Sequence, residues 1–468
     1  MVERVSIPAV GLCYNRLLEN GSFRAASFRS KGALMARTSF YSTCLFSVSL
    51  FLGSLVAEAD DWPQWRGPGR DGVWRETGLV SSFASKQLPI RWRVPVAPGY
   101  SGPTVAAGRV YLTDRVDEPE QIERVHCFDA ETGETAWSFS YPCEYRIGYK
   151  AGPRASVTID SGRAYALGAM GHMHCFNALT GQLLWKKNLD QLFSIEMPIW
   201  GIAGAPLIVG DLVVVQIGGK DACIVAFESE TGKQRWTALS DRASYSAPVL
   251  VKQAGQQVIV CWTGDSVSGL EPKTGKVHWR YPFGPSKMPI GVATPIMAGN
   301  QLFVTSFYDG SLMLRLPPDR LAVEKIWQRK GESELKTSAL HSIISTPLFL
   351  GKHIYGVDSY GELRCLKAAN GERVWEDLTA TPKSRWSTIH FVRNQDRVWM
   401  FNERGELIIS KLSEKGFEEI SRARLIEPTE EQLRRRNGVC WAHPAFANRH
   451  VFARNDRELV CASLAAKR

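Results

Sequence analysis

The residues of this 468-residue chain whose types and spacing could do chemistry fall into two sets. The first is His172-Met173-His174, where residues two apart on a strand share a face and could chelate one ion. A single histidine pair is an incomplete site, and His126 belongs to a different repeat, so structural or solvent-facing histidines are expected and no metal. The second set is Tyr100, Arg154, Trp200, Tyr245, His341, Trp386 and Trp441, with His443 two residues further on. These are aromatic with a few polar members, the composition of a ligand pocket wall. No Gly-x-Ser-x-Gly elbow, P-loop or His-Glu-x-x-His pattern occurs, so hydrolase, nucleotide-binding and metalloprotease chemistry have no motif to rest on. Nor is there a Cys-x-x-Cys-His for attached haem or a Cys-x-x-Cys for zinc.

What must position these residues is a repeat. Phe128-Asp-Ala-Glu-Thr-Gly-Glu-Thr-Ala-Trp137 returns as Phe176 to Trp185, Phe227 to Trp236 and Leu270 to Trp279, and in weaker form ending at Trp375. The acidic or amide residue four places before the glycine can accept hydrogen bonds from the turn, and the glycine tolerates positive φ. Gly133, Gly181, Gly232, Gly275 and Gly371 are therefore read as hairpin turns, and Trp137, Trp185, Trp236, Trp279 and Trp375 as outer-strand residues needing a neighbouring sheet. In the fifth unit the phrase decays to Pro317-Pro-Asp-Arg320, though Trp327 remains.

Eight such units begin between Tyr100 and Trp441, and the eighth stops before a fourth strand. Pro89 to Val96, with Trp92, reads as an outer strand that has no inner strands of its own. The count closes as an all-β, eight-bladed β-propeller whose last blade is completed by the N-terminal strand. Each docking tryptophan would then stabilise a blade contact by about 1.5–3 kcal/mol. The second set of residues, each opening a blade, would ring one mouth of the axial channel. Filling the core between innermost strands is the reading weighed against ligand binding there.

The partition expected is 1–59 as an extension and signal peptide, 60–86 as an arm rich in Trp, Gly and Pro, and 87–466 as the propeller. Met35-Ala-Arg, the apolar run Phe40 to Leu55 and Val56-Ala-Glu-Ala59 have the three parts of a secretory signal, cleaved after Ala59, with Met35 a candidate start. The run is short and diluted with hydroxyls, so an exported protein without a stable membrane span is expected. Trp62, Trp65 and Trp74 in the arm should pack on the body. Cys127, Cys175 and Cys365 recur at one apolar strand position and read as buried thiols. The net charge of +10 is scattered and forms no stripe, which argues against nucleic acid as a partner.

The phrase Asp-Ala-x-Thr-Gly-x-x-x-Trp resembles the tryptophan docking motif of quinoprotein alcohol dehydrogenase-like propellers, whose non-enzymatic members include BamB-like outer-membrane assembly factors. Asp61-Trp-Pro-Gln-Trp-Arg-Gly-Pro68 and Gly99-Tyr-Ser101 resemble exported PQQ-like repeat proteins of planctomycete bacteria. The resemblance runs from Asp60 to the C-terminus. It implies a propeller and leaves catalysis open, because enzymes and scaffolds share the motif. The enzymes of the family use PQQ with calcium, an adjacent Cys-Cys pair and clustered acids; this chain has no Cys-Cys pair, and Glu196 is the one carboxylate read near a blade entrance. The expectation is a non-catalytic binding or scaffold module of the periplasm or cell envelope, without a cofactor, taking an envelope protein or small ligand at the propeller face. The alternatives are a PQQ-dependent oxidoreductase and a BamB-like assembly factor; the chain lacks a lipid-anchoring cysteine like that of BamB.

Overall fold

Strands of three to nine residues, many apolar on both faces, can be buried only between sheets packed on either side. The computed structural model describes residues 60–434 and 436–466. The extension and signal, with Cys13 and Cys44, lie outside the described residues. Within them, thirty-two strands form eight four-stranded antiparallel sheets, arranged as the blades of a propeller. Blade 1 runs from Thr104 to Pro142 and blade 7 from Ile389 to Arg424. Blade 8 holds Ala445–Ala447, His450–Arg454 and Glu458–Ser463, and its outer strand is Ile90–Pro95, paired antiparallel to Glu458–Ser463. The N-terminal strand thus closes the ring and covers an edge that would otherwise be free. Among the described residues no helix is long and apolar enough to cross a membrane.

The turn phrase and the tryptophan that touch each other belong to different blades. Trp137 of blade 1 packs on Gly181 of blade 2, Trp185 on Gly232, Trp236 on Gly275, Trp327 on Gly371, and Trp92 on Gly133. Each indole N–H also donates to a carbonyl of the blade it reaches, as Trp137 to Ala178 O at 2.9 Å and Trp236 to Pro272 O at 2.9 Å. Asp129 and Asn177 take the backbone N–H groups of their turns with side-chain oxygens. In blade 3 the longer Glu228 takes the Thr231 hydroxyl instead.

The exception follows from the decayed phrase of blade 5. With no glycine turn to meet, Trp279 donates to Gln253 Oε1 at 2.8 Å. The amide of Gln253 then donates to the carbonyls of Arg320 and Ala322 in blade 5, so a side chain relays the contact. Blade 7 ends in Gly416–Arg424 without a tryptophan, and the arm fills that gap with Trp74 and Phe83 against Trp399. The eight cysteines beyond the signal, Cys127, Cys175 and Cys365 among them, are buried and unpaired.

Gly275 and Gly108 both have positive φ, yet a methyl on Gly275 would stand 2.4 Å from the Trp236 ring while one on Gly108 would meet nothing within 4 Å. Gly108→Ala should therefore lose about 1 kcal/mol, and Gly275→Ala about 2–4 kcal/mol. Urea unfolding midpoints read the difference; equal losses would mean the docking contact is loose.

Candidate functional site

The loops that enter the blades bury some apolar side chains, among them Ile147, Ile290 and Ile343, and their backbone is held by hydrogen bonds as well. Acids near the end of the second strand, most of them buried, provide these bonds. Asp265 accepts from Arg242 N, Asp309 from Ser286 N, Asp358 from His341 N, and Asp456 from Glu431 N, each gripping the loop that leads into its own blade. Asp114 does the same for Ala97 N in blade 1, and Glu403 takes the Ser387 hydroxyl in blade 7. Each acid except Asp456 is also ion-paired, to Arg242, Lys330, Arg364, Arg124 and Arg436 respectively. Burial alone would raise the Asp114 carboxyl, but hydrogen bonds from His126 and Arg124 hold it well below the usual carboxylate range. Sequence reading missed this device. Its signal was a lone Asp or Glu after the second strand, without constant spacing to the following glycine.

Held in this way, the entrance residues surround one cavity of about 150 Å3 on the propeller axis. Tyr100, Arg154, Trp200 and Tyr245 line it from blades 1 to 4. Trp386, Trp441 and His443 line it from blades 7 and 8, joined by His390, which the sequence did not single out. Tyr149, also unforeseen, completes the rim: its ring lies 5.8 Å from Trp200 and 5.9 Å from Trp386, and Trp200 lies 5.1 Å from Tyr245. Tyr149 and Trp386 are the two aromatic residues held in the left-handed region, with φ of 54° and 69°. That conformation costs a bulky residue on the order of 1–3 kcal/mol, and such strain concentrates at binding sites. A wider cleft of about 990 Å3 opens beside these two rings and is lined by Arg115, Lys150, Arg385 and Arg436.

The arm floors the cavity. Trp62 pairs with Val105 of blade 1, Pro63 O accepts from Ile159 N of blade 2, and Trp74 N donates to Arg393 O of blade 7. The Arg70 guanidinium, buried without a carboxylate, donates to Ala205, Pro206 and Pro248 carbonyls of blades 3 and 4. Burial pushes it down to about 9, which leaves it charged at neutral pH. Trp65 donates to Thr294 Oγ1 of blade 5 at 2.8 Å and presents its ring to the cavity beside His443. The three arm tryptophans thus do more than pack on the body: the arm spans from blade 1 to blade 8, where Glu76 takes Arg449 N.

Other residues go elsewhere. His341 does not line the cavity; it is fully buried, with Nδ1 donating to Phe307 O and Nε2 accepting from Gly331 N. Its backbone N–H donates to Asp358 Oδ1 at 2.6 Å. His172 and His174 share a face, but that face packs on Tyr141, and burial pushes His174 down to about 3. Among the described residues no group of three or more His, Cys, Asp or Glu could hold a metal. Glu196 is exposed and does not line the cavity. The cavity wall contains no Asp, Glu, Asn or Cys, so the residues present do not fit calcium, which needs several oxygen ligands including carboxylates.

The fold and its docking contacts define the class: an eight-bladed propeller of PQQ-like repeats. The family model for outer membrane protein assembly factor BamB matches residues 121–377, more than half of the chain, and the chain belongs to that family. Among solved structures, BamB from Moraxella catarrhalis is 16% identical at a TM-score of 0.55, covering 81% of this chain and 99% of that one. Quinohemoprotein alcohol dehydrogenase from Comamonas testosteroni is 13% identical at a TM-score of 0.60, covering 87% and 81%. A europium-containing methanol dehydrogenase is 12% identical, also at 0.60, covering 84% and 89%. At these identities the likeness is one of fold. No curated protein sequence matches the chain.

His390 in the wall donates Nε2–H to Trp441 O at 2.8 Å and is wholly buried, which pushes its imidazolium down to about 4. Because the folded value lies below the unfolded one, near 6.5, its contribution is full above pH 6.5 and is lost as pH falls towards 4. The loss should be on the order of 3 kcal/mol. His390→Gln, which keeps a donor, should flatten the decline of unfolding free energy between pH 6.5 and 4; an unchanged slope would assign the decline to other groups.

Proposed function

We propose that this protein is a non-catalytic binding module of the cell envelope, exported by its N-terminal signal, whose blade-entrance face takes an envelope protein or a small ligand. One observation carries the reading: the axial cavity is walled by aromatic rings, with Arg154 the one charged side chain apart from the histidines and no carboxylate or thiol. Such a wall binds apolar surface and offers neither a general base of ordinary strength nor a hard-metal site. Burial keeps His390 and His443 neutral, and both donate to carbonyls, which suits positioning.

A second reading, assembly of outer-membrane proteins, is favoured by the family match over residues 121–377. In it the cleft beside Tyr149 and Trp386 would bind the partner chain. Oxidoreduction with PQQ and calcium has the likeness of fold in its favour, and the cavity wall against it.

Cross-linking in intact envelopes should recover one partner with the wild-type chain and lose it with Trp386→Ala, with Trp279→Phe as a control on the far edge of blade 4. Recovery of the chain alone, or a partner indifferent to Trp386, would sink the scaffold reading. Titration with PQQ and calcium should give no bound-quinone absorbance; its appearance with dye-linked alcohol oxidation would restore the enzyme.

A further inference from the structure

The cationic and imidazole groups of the cavity wall lie in two places. At the mouth, the Arg154 guanidinium lies over the Tyr100 ring at 4.8 Å and donates to the carbonyls of Gly148, Tyr149 and Gly152. That uses three of its five N–H donors. Among the described residues it makes no ion pair, whereas the neighbouring Arg115, Arg385 and Arg436 are matched to Asp117, Glu334 and Glu403. A half-buried cation facing an apolar cavity without a counter-charge attracts an anion. At the floor, His390 and His443 lie 4.9 Å apart, ring to ring. Carbonyl oxygens can only accept, so the bonds to Trp441 O and Pro444 O put the protons on His390 Nε2 and His443 Nδ1. His390 Nδ1 and His443 Nε2 are left as lone-pair acceptors in the wall of the cavity.

We infer that the cavity is a site for a single-ring aromatic carboxylate bearing a ring hydroxyl. The volume sets the ring count, because a cavity of about 150 Å3 accommodates one benzene-sized ring. The flanking rings of Trp200, Trp386 and Tyr245 supply faces for stacking. The carboxylate takes the free donors of Arg154, and the hydroxyl donates to the histidine lone pairs at the floor. Trp65, from the arm, sets the depth of the cavity and so the length of ring it takes. The inference rests on the reading of the entrance face as the binding face, and it names the ligand class.

Calorimetric titration of the whole mature chain tests it with 4-hydroxybenzoate, 4-hydroxybenzamide, benzoate and PQQ. The acid should bind about tenfold or more tighter than the amide, which lacks the charge, and several-fold tighter than benzoate, which lacks the hydroxyl. Arg154→Met should weaken 4-hydroxybenzoate about tenfold and leave 4-hydroxybenzamide nearly unchanged. Equal binding of acid and amide, no saturation by any single-ring compound, or preference for PQQ would overturn the assignment. The wild-type comparison of acid, amide and benzoate decides the matter even where Arg154→Met fails to fold. Absence of small-ligand binding with a Trp386-dependent envelope partner retained would sink this inference alone; ligand binding without a partner would sink the scaffold reading.

Discussion

The contact on which the molecule depends is an indole laid over the backbone of the next blade's turn. A propeller blade cannot bury both faces by itself, and successive blades must be held at a repeating angle for eight of them to close. The tryptophan does this twice over. Its ring covers a glycine whose missing side chain makes room for it, and its N–H fixes the ring's direction through a carbonyl, as between Trp185 and Ser229 O at 3.1 Å. Where the glycine turn is lost, Gln253 carries the hydrogen bonds across instead, and blades 4 and 5 stay joined.

With the outer contacts repeated in most blades, the entrance loops carry much of what distinguishes one blade from another. These are anchored by acids that take their backbone N–H groups and are mostly neutralised by arginine or lysine. Acids so engaged hold the loops. The loops deliver aromatic side chains to the axis, and among the described residues Arg154 is the one charged side chain of the cavity wall apart from the histidines. The arm then stops the opposite end of the channel by bonding to innermost-strand carbonyls and amides, which are available because each innermost strand is an edge of its sheet.

Much of this was legible in the chain. A turn phrase spaced by four-strand units, a tryptophan at its end and one unpartnered strand at Pro89 to Val96 led to eight blades and to their closure, because these are local or counted features. Most blade-opening residues came together for the same reason, since position within a repeat maps to position within the ring. His341 departs, its ring bonded to Phe307 O and Gly331 N and its N–H to Asp358, contacts that periodicity does not report. Tyr149 and His390 went unread because they sit off the repeat register, on a loop and at the start of a strand.

What the sequence determined by itself was therefore the blade, the number of blades and the route of closure, since each follows from short-range hydrogen bonding and a repeated apolar surface. Only the tertiary structure decided which blade each tryptophan serves, that the arm becomes the floor of the cavity, and that six of the blade-opening residues, Arg154 among them, face one space together with His443. Those outcomes depend on groups distant in the chain, such as Arg70 and Pro248, meeting at one axis, where the balance of charge is set by proximity in space.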